Sequence, residues 1–200
     1  MKIGVVGSGS MGTALGKALA AKGHSVFFGS RTPRSVAGFQ TGTYEEAVRH
    51  GEIIILTTTW ECTLNIVNGL KINDKIIIDC TNPETHDGRG LAVGHTTSGS
   101  EEIAKICSGA RIVKAFCHVY AEMLTVPAFG TEKASVFYCG DDSDAKAVIL
   151  KLIAEMGFDP VDAGPLKSAR YIEPLAMLMV QLVREMKMGP DRIAMKLLKR

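Results

Sequence analysis

The sequence predicts an α/β fold in which a doubly wound, mostly parallel sheet carries helices on both faces. Short runs rich in Val and Ile alternate with helical stretches along the chain, which is the pattern of βαβ units. One run, Ile76-Ile77-Ile78, is apolar throughout and suits a strand covered on both faces. A length of 200 residues is enough for one domain with a small appendage.

Composition and charge disfavour several other classes of protein. A net charge of +2 without a Lys/Arg block argues against a nucleic-acid partner. The five cysteines form no C-x-x-C pair, so we expect buried, reduced thiols in a cytoplasmic protein. The first residues form a strand and not a signal peptide, and the longest apolar stretch is too short to span a membrane. The histidines have no metal-ligand spacing, so no metal site is expected.

The periodic pattern places the elements in order. The predicted strands are 3–6, 25–28, 52–56, 75–79, 111–116, 135–139 and 158–162. The predicted helices are 11–22, 44–50, 61–69, 100–107 and 143–156. Gly23 provides a stop for the first helix, and Asp141-Asp142 provides an acidic cap for the last of these helices. Residues 81–98 contain Asn-Pro and Asp-Gly pairs and are expected to form a loop.

The C-terminal part is predicted to be helical. A long helix begins at Ser168, breaks at Gly189-Pro190 and is followed by a short helical tail. This divides the chain into a nucleotide-binding domain, 1–166, and a helical appendage, 167–200. The appendage is rich in Met and Leu on more than one face, so we expect it to pack on its own domain and on a second copy in a homodimer. The alternative is that this helix forms one wall of a substrate site.

A glycine-rich segment between the first strand and the first helix indicates a dinucleotide site. Gly7-Ser8-Gly9-Ser10-Met11-Gly12 fits the pattern G-x-G-x-x-G in the strand-turn-helix context that makes it informative. Gly7 permits the tight turn, Gly9 lets the backbone approach a pyrophosphate, and Gly12 lets the helix pack on the strand. Ser8, Ser10 and Met11 complete the predicted phosphate loop of a Rossmann-type domain.

The end of the second strand favours NADP(H) over NAD(H). NAD-binding domains carry an acidic residue there for the ribose 2′-hydroxyl. This chain has Ser30, Arg31 and Arg34 and no acid at that position. A hydroxyl can donate a hydrogen bond to a 2′-phosphate, and guanidinium groups can bind it bidentately.

The ends of the later strands are expected to line the nicotinamide crevice. The candidate residues there are Thr57, Thr58, Trp60, Asn82, Pro83 and His118. Asn82 is suited to hold a ribose or the carboxamide. Trp60 is either a cleft residue or a core or lid aromatic. His118 is either a general acid or a contact to cofactor or substrate, and we favour contact.

Several blocks of the chain resemble the F420-dependent NADP reductases, a family of small Rossmann-fold enzymes. Beyond the glycine motif, the blocks are Gly29-Ser30-Arg31, Asp79-Cys80-Thr81-Asn82-Pro83, Val113-Lys114-Ala115-Phe116, Cys139-Gly140-Asp141-Asp142, Asp162-Ala163-Gly164-Pro165-Leu166 and Ser168-Ala169-Arg170. The sequence is also similar to the cytosolic NADPH-binding domains of six-transmembrane metalloreductases.

The resemblance implies direct hydride transfer between the nicotinamide C4 and a flavin-like ring, either coenzyme F420 or a flavin such as FMN or FAD. Orientation would supply the catalysis, so Thr58, Trp60, Asn82 and His118 are expected to position the rings. The chain departs from the family pattern at Cys117-His118 and Tyr120, near the pocket expected for the second ring.

Three alternative functions remain open on sequence alone. The first is a non-catalytic NADP(H)-binding redox sensor or regulatory module. The second is an NADPH-dependent ferric or flavin reductase. An imine or β-hydroxyacid reductase is disfavoured, because those enzymes usually carry a larger helical domain for the substrate.

Overall fold

A computed structural model describes residues 1–199 and shows the predicted α/β architecture; Arg200, the last residue of the predicted appendage, lies outside the described residues. The strands are β1 (Lys2–Val6), β2 (Ser25–Gly29), β3 (Gln40–Gly42), β4 (Ile53–Leu56), β5 (Ile76–Asp79), β6 (Arg111–Lys114), β7 (Ala128–Phe129), β8 (Glu132–Lys133), β9 (Ser135–Gly140) and β10 (Asp159–Asp162). The helices are α1 (Ser10–Ala20), α2 (Tyr44–His50), α3 (Trp60–Gly69), α4 (Gly99–Ile106), α5 (Ser143–Glu155) and α6 (Ala169–Arg184).

The large sheet is mostly parallel, which confirms the predicted fold class. Its strand order is β10-β9-β6-β5-β4-β1-β2-β3, and β9 runs antiparallel to β6. The chain proceeds outward from β1 in one direction through β2 and β3, and in the other direction through β4, β5 and β6. The order therefore reverses between β1 and β4, and the crevice at their carboxyl ends is where such sheets bind ligands.

The central strands are covered on both faces, as their apolar runs predict. Ile55 of β4 packs with Leu15 and Leu19 of α1 in one core cluster. Its neighbour Ile54 faces the other way and packs with Val67 of α3 in a second cluster. Successive side chains of a strand point to opposite faces, so a strand buried twice is apolar at every position.

The fifth predicted strand is shorter than expected. The sequence predicts a strand over 111–116, but β6 ends at Lys114. Phe116, which is buried, adopts a left-handed backbone conformation with φ of 62°. That conformation cannot continue a strand, and in a bulky residue it is held only by its surroundings. The turn delivers Cys117 and His118 to the edge of the sheet. The short strands β3, β7 and β8 were not predicted.

The predicted helical tail is wrong. The helix ends at Arg184 and not at Gly189-Pro190, and the rest of the described tail is not helical. Lys187 has a positive φ of 59°, which turns the chain away from the helix axis. The tail then follows β9: the backbone N–H of Ser135 donates to the carbonyl of Met195 at 2.8 Å, and the N–H of Leu197 donates to Ser135 Oγ at 3.1 Å. These tertiary hydrogen bonds replace helical ones.

Two further properties concern the chain as a whole. All five cysteines are free thiols, and every one except Cys62 is buried. Burial raises the pKa of Cys107 to about 11 and of Cys139 to about 12. Among residues 1–199, no helix is both long and apolar enough to cross a bilayer.

Candidate functional site

The glycine loop links β1 to α1, and its three glycines have different environments. Gly7 has a φ of 118°, and its N–H donates to the carbonyl of Gly29 at 3.0 Å. A Cβ added to Gly12 would lie 2.0 Å from the carbonyl oxygen of Gly7, so the helix needs glycine there to pack on the strand. A Cβ on Gly9 would meet nothing within 4 Å. The fold therefore requires Gly7 and Gly12, whereas Gly9 leaves an open surface.

The N-terminus of α1 is suited to a phosphate group. Its N-cap is Gly9, which supplies no side-chain hydrogen bond, and the first turn holds no acidic residue. By contrast, α2, α4 and α5 are capped by the side chains of Thr43, Ser98 and Asp142. The first amides of α1 thus remain available as donors, and the helix dipole favours an anion at this end. The exposed Ser10 hydroxyl lies beside them.

The end of β2 carries the residues predicted to select NADP(H). Ser30 Oγ donates to the carbonyl of Thr32 at 2.8 Å, which fixes the turn after the strand. Arg31 and Arg34 extend from this turn and are exposed to solvent. Two guanidinium groups at this position fit a 2′-phosphate, which needs cationic donors at the rim of the nucleotide site.

A cleft of about 630 Å³ begins at α1 and continues along the carboxyl ends of β4, β5 and β6. It brings together seven of the predicted site residues: Ser10, Met11, Thr57, Thr58, Trp60, Asn82 and His118. Pro83 does not line the cleft; it is buried behind it, near Gly99. Ser30, Arg31 and Arg34 lie outside the cleft lining at the end of β2.

Asn82 has one hydrogen-bonding atom left over. Its Nδ2 donates to the carbonyl of Cys117 at 2.8 Å, which fixes the orientation of the amide. Its Oδ1 is buried and has no partner among the described residues. A buried acceptor without a partner is costly, so a ligand donor, such as a carboxamide NH₂ or a ribose hydroxyl, would stabilise this arrangement.

His118 is buried, with 3% of its surface exposed. Its Nε2 lies 3.3 Å from the carbonyl of Ser135 and 3.4 Å from the N–H of Phe137. Its Nδ1 has no partner within the described residues. Burial lowers the pKa of His118 to about 4, so the ring is neutral at neutral pH. This favours contact with a ligand over general acid catalysis.

Of the residues that follow β4, Thr57 contacts the glycine loop, and Thr57, Thr58 and Trp60 all line the cleft. Thr57 Oγ1 donates to the carbonyl of Gly7 at 2.9 Å and so braces the glycine loop. Thr58 Oγ1 pairs with Thr63 Oγ1 at 2.8 Å. Trp60, the first residue of α3, lines the cleft and also packs against the second core cluster. Trp60 is therefore both a cleft residue and a core aromatic.

One feature of the site was missed from the sequence: a fully buried charge cluster behind the cleft. Lys114 Nζ lies 2.9 Å from Asp79 Oδ2 and 3.0 Å from Glu173 Oε1, and all three side chains have no exposed surface. The N–H of Gly99 donates to Glu173 Oε2 at 3.0 Å, and Ser100 Oγ donates to Asp79 Oδ2 at 2.6 Å. We call Asp79, Lys114 and Glu173 the charge clamp. Its signal in the sequence was the single charged residue within each of two apolar runs, Asp79 after 76–78 and Lys114 within 112–116.

The charge clamp joins α6 to the sheet, and α6 forms one wall of the cleft. The wall residues are Ala176, Met179, Val180, Val183 and Arg184. Tyr120 adds a second tie, since its hydroxyl donates to the carbonyl of Met179 at 3.1 Å. Glu173 thus positions a wall that no part of the parallel sheet could supply.

With the geometry established, comparisons with known proteins identify the relatives. Residues 2–83 match the family model described as NADP oxidoreductase coenzyme F420-dependent. The chain is 26% identical to the F420-dependent NADP reductase of Methanocaldococcus jannaschii over 153 residues, covering 69% of this chain and 65% of that protein. It is 33% identical to rat metalloreductase STEAP3 over 186 residues, covering 88% of this chain and 37% of the rat protein.

The chain is similar to the F420-dependent NADP reductases and to the metalloreductases. This confirms the resemblance read from the sequence blocks. The crystal structure of a putative F420-dependent NADP reductase from Arthrobacter sp. FB24 superposes with a TM-score of 0.88 at 25% identity, covering 98% of this chain and 99% of the other. The chain spans less than two fifths of the length of the rat metalloreductase and about two thirds of the archaeal reductase.

More distant neighbours share the fold. A reductive aminase from Aspergillus terreus, solved with NADPH and ethyl levulinate, superposes with a TM-score of 0.68 at 19% identity. The match covers 90% of this chain but only 60% of the aminase. The similarity shows a shared fold, and a large part of the aminase lies outside the match.

Proposed function

We propose that this chain is an NADP(H)-dependent oxidoreductase that transfers a hydride between the nicotinamide and a flavin-like ring, either F420 or a flavin. The observation that carries the proposal is the continuous cleft. It begins at the uncapped N-terminus of α1, passes Asn82 and His118, and opens between Trp60 and α6. A dinucleotide bound at the first end leaves the second end free for another ring.

The titratable groups at the cleft floor suit a reaction that needs positioning more than proton transfer. Burial raises the pKa of Cys80 and raises the pKa of Cys117 to about 12, so both thiols stay protonated. His118 stays neutral because burial lowers its pKa. Bound NADPH would supply the hydride, and the acceptor ring would take its accompanying proton from solvent. The floor then acts by holding two rings in contact.

The residues present fit the dinucleotide on three counts. The open surface at Gly9 accommodates the pyrophosphate against the first amides of α1. Arg31 and Arg34 provide cations for the 2′-phosphate. The unpartnered Oδ1 of Asn82 accepts a hydrogen bond from the carboxamide or ribose.

We expect NADPH to bind at least about tenfold more tightly than NADH, because charge-assisted hydrogen bonds to the 2′-phosphate contribute a few kcal/mol. The double variant Arg31→Ala/Arg34→Ala should lose this preference while NADH affinity is unchanged. Fluorescence titration of both nucleotides measures the two constants. Tighter binding of NADH by the unmodified chain would contradict the role given to β2.

The acceptor is tested by following NADPH oxidation with F420, FMN, FAD, riboflavin and ferric chelates in parallel. Reduction of one of the rings supports the proposal, and Asn82→Ala should slow it while leaving folding intact. Reduction of ferric chelates without any added ring would favour a metalloreductase activity, which similarity to STEAP3 makes the second candidate. Tight NADPH binding with no turnover would favour the non-catalytic sensor.

A further inference from the structure

The two ends of the proposed active site carry opposite charge. Arg31 and Arg34 lie at the nucleotide end and face no carboxylate in the turn that holds them. The acceptor end of the cleft is lined instead by four carboxylates: Glu61, Glu84, Asp87 and Glu122. Arg184 is the one lysine or arginine in the described cleft lining. Coulomb interactions in a partly enclosed cleft are stronger than in bulk water, so this asymmetry affects which acceptor binds.

Arg184, the arginine at the acceptor end, already contacts Gly88 and Glu84. Arg184 donates from one guanidinium nitrogen to the carbonyl of Gly88 at 2.9 Å, and its other terminal nitrogen lies 4.0 Å from Glu84 Oε2. His86 pairs with Glu61, and the Glu61 carboxylate raises the pKa of that histidine. The charge of the histidine is therefore engaged by Glu61. An anionic group entering this end would meet a guanidinium that Glu84 has partly neutralised.

The other two carboxylates at this end of the cleft belong to Asp87 and Glu122. Asp87 accepts hydrogen bonds from Thr85 Oγ1 at 2.6 Å and from the N–H of Arg89 at 3.1 Å, and the bond from Thr85 chiefly lowers its pKa. The hydrogen-bonded form is therefore the carboxylate. Glu122 is exposed and lines the same cleft as the half-buried Tyr120.

The floor of the same cleft offers groups for a neutral ring. His118 Nδ1 is buried and has no partner within residues 1–199, and it stays available to an acceptor ring when the nucleotide engages Asn82 Oδ1. Met179 and Val183 of α6 and Trp60 of α3 supply apolar walls on either side. Apolar walls around a few unsatisfied polar atoms are the usual composition of a site for a flat heterocycle.

We infer that the acceptor half of the cleft selects a ring system without an anionic tail, so that riboflavin binds better than FMN. The inference rests on the proposed function, because it specifies the acceptor of that reaction. F420 and FAD also carry anionic groups beyond the ring and are disfavoured for the same reason. The cluster of carboxylates would thus separate this chain from the acceptor that the family is named for.

Riboflavin and FMN form a matched pair, because they share the ring and ribityl chain and differ by one terminal phosphate. Quenching of their fluorescence by the NADP⁺-loaded protein gives both dissociation constants without turnover. We expect riboflavin to bind about tenfold more tightly at low ionic strength, since the phosphate adds nearly two negative charges. The ratio should shrink as salt is raised, because salt screens the carboxylates.

The double variant Glu84→Gln/Glu122→Gln should tighten FMN binding and leave riboflavin binding nearly unchanged. Glu52→Gln is the control, since it removes one carboxylate at the amino end of β4, away from the cleft. Glu52 accepts a hydrogen bond from the N–H of Lys2, and glutamine can accept the same bond. This control should leave both affinities as they are.

Equal or tighter binding of FMN by the unmodified chain would overturn the inference, and so would failure of both rings to bind. NADPH oxidation measured on the same samples separates the two proposals. Riboflavin that binds preferentially but is never reduced would refute hydride transfer and leave charge selection standing. Reduction of FMN faster and at lower concentration than riboflavin would refute charge selection and leave hydride transfer standing.

Discussion

At the scale of single residues, the glycine loop separates positions that the fold needs from positions that a ligand needs. The free chain has room for a side chain at Gly9, where φ is −73° and a Cβ meets nothing within 4 Å. It has no room at Gly12, where a Cβ would lie 2.0 Å from a backbone oxygen. A substitution at Gly9 therefore tests ligand binding, whereas a substitution at Gly12 tests folding.

Gly9→Ala is expected to leave the thermal unfolding midpoint nearly unchanged and to weaken NADPH binding by about tenfold or more, because the new methyl group occupies the path of the pyrophosphate. Calorimetric titration and thermal denaturation measure the two effects. Gly12→Ala is the contrast and should destabilise the fold by about 1–3 kcal/mol through the clash. Unchanged NADPH affinity in Gly9→Ala would place the phosphates elsewhere.

The lowered pKa of His118 predicts that the free energy of unfolding depends on pH. Its pKa is lowered by burial to about 4 in the folded chain, whereas an unfolded chain titrates near the ordinary value of about 6.5. Below pH 6.5 the His118 side chain binds a proton in the unfolded state but stays unprotonated in the folded state. The contribution of His118 to the free energy of unfolding is therefore complete above pH 6.5 and is lost as pH falls toward 4. The full effect is on the order of 3 kcal/mol.

Urea unfolding of the wild type and of His118→Gln between pH 7 and pH 4.5 measures this contribution. We expect the variant to lose less unfolding free energy over that range, because glutamine does not titrate. His95→Asn, at an exposed position with a positive φ that asparagine tolerates, should follow the wild-type curve. Parallel curves for His118→Gln and the wild type would show that the histidine is not held neutral.

At the scale of elements, the charge clamp determines where α6 lies. Burial opposes the charged form of Lys114, but the Asp79 and Glu173 carboxylates more than offset it and raise the pKa of Lys114 above its ordinary value. The ammonium ion therefore holds two carboxylates together, one from β5 and one from α6. The amides of Gly99 and Ser100 at the start of α4 also donate to Glu173. Four elements of the fold meet in this one cluster.

Lys114→Met should destabilise the chain by about 3–5 kcal/mol, because it leaves two buried carboxylates without their cation. Glu173→Gln should cost less, since the amide oxygen still accepts from the start of α4 while one buried charge is removed. Equilibrium unfolding in urea measures both values. Lys146→Met, which removes a half-exposed ion pair with Asp162, is the control and should change stability by less than about 1 kcal/mol. A similar loss for both lysines would contradict the clamp.

At the scale of the whole molecule, α6 has a buried face and a second face that exposes large apolar side chains. Ile172, Ala176 and Met179 pack on the domain. Tyr171 is 76% exposed and Leu178, seven residues later on the same side, is 48% exposed. This pattern supports the homodimer predicted from the sequence, which stays a prediction, as does the division of the chain at residue 166.

Leu178→Glu is expected to convert a dimer to a monomer, because it places a carboxylate in the apolar face that a second copy would cover. Light scattering coupled to size-exclusion chromatography measures the mass. Leu150→Glu, at a 41% exposed position on α5, introduces the same change elsewhere and should leave the assembly intact. A monomeric wild type, or a dimer that survives Leu178→Glu, would refute the interface.

Local patterns predicted most of the sheet and of the nucleotide end of the cleft. Helix α2 over Tyr44–His50 was predicted with its observed bounds. In the structure Thr43 and Glu46 form a capping box, so the start of this helix is encoded within four consecutive residues. The glycine loop was predicted for the same reason. The tail after Arg184 was predicted wrongly, because its composition is helical but its backbone hydrogen bonds go to Ser135 of β9, far away in the sequence.

The sequence by itself determined the order of the main strands and helices, the glycine loop and the arginines at the end of β2, since each depends on residues that are neighbours along the chain. Only the tertiary structure decided that Lys114 meets both Asp79 and Glu173, that His118 is buried and neutral, and that carboxylates from separate segments gather at the acceptor end. Burial and charge pairing are set by contacts between distant residues, and no local pattern encodes them.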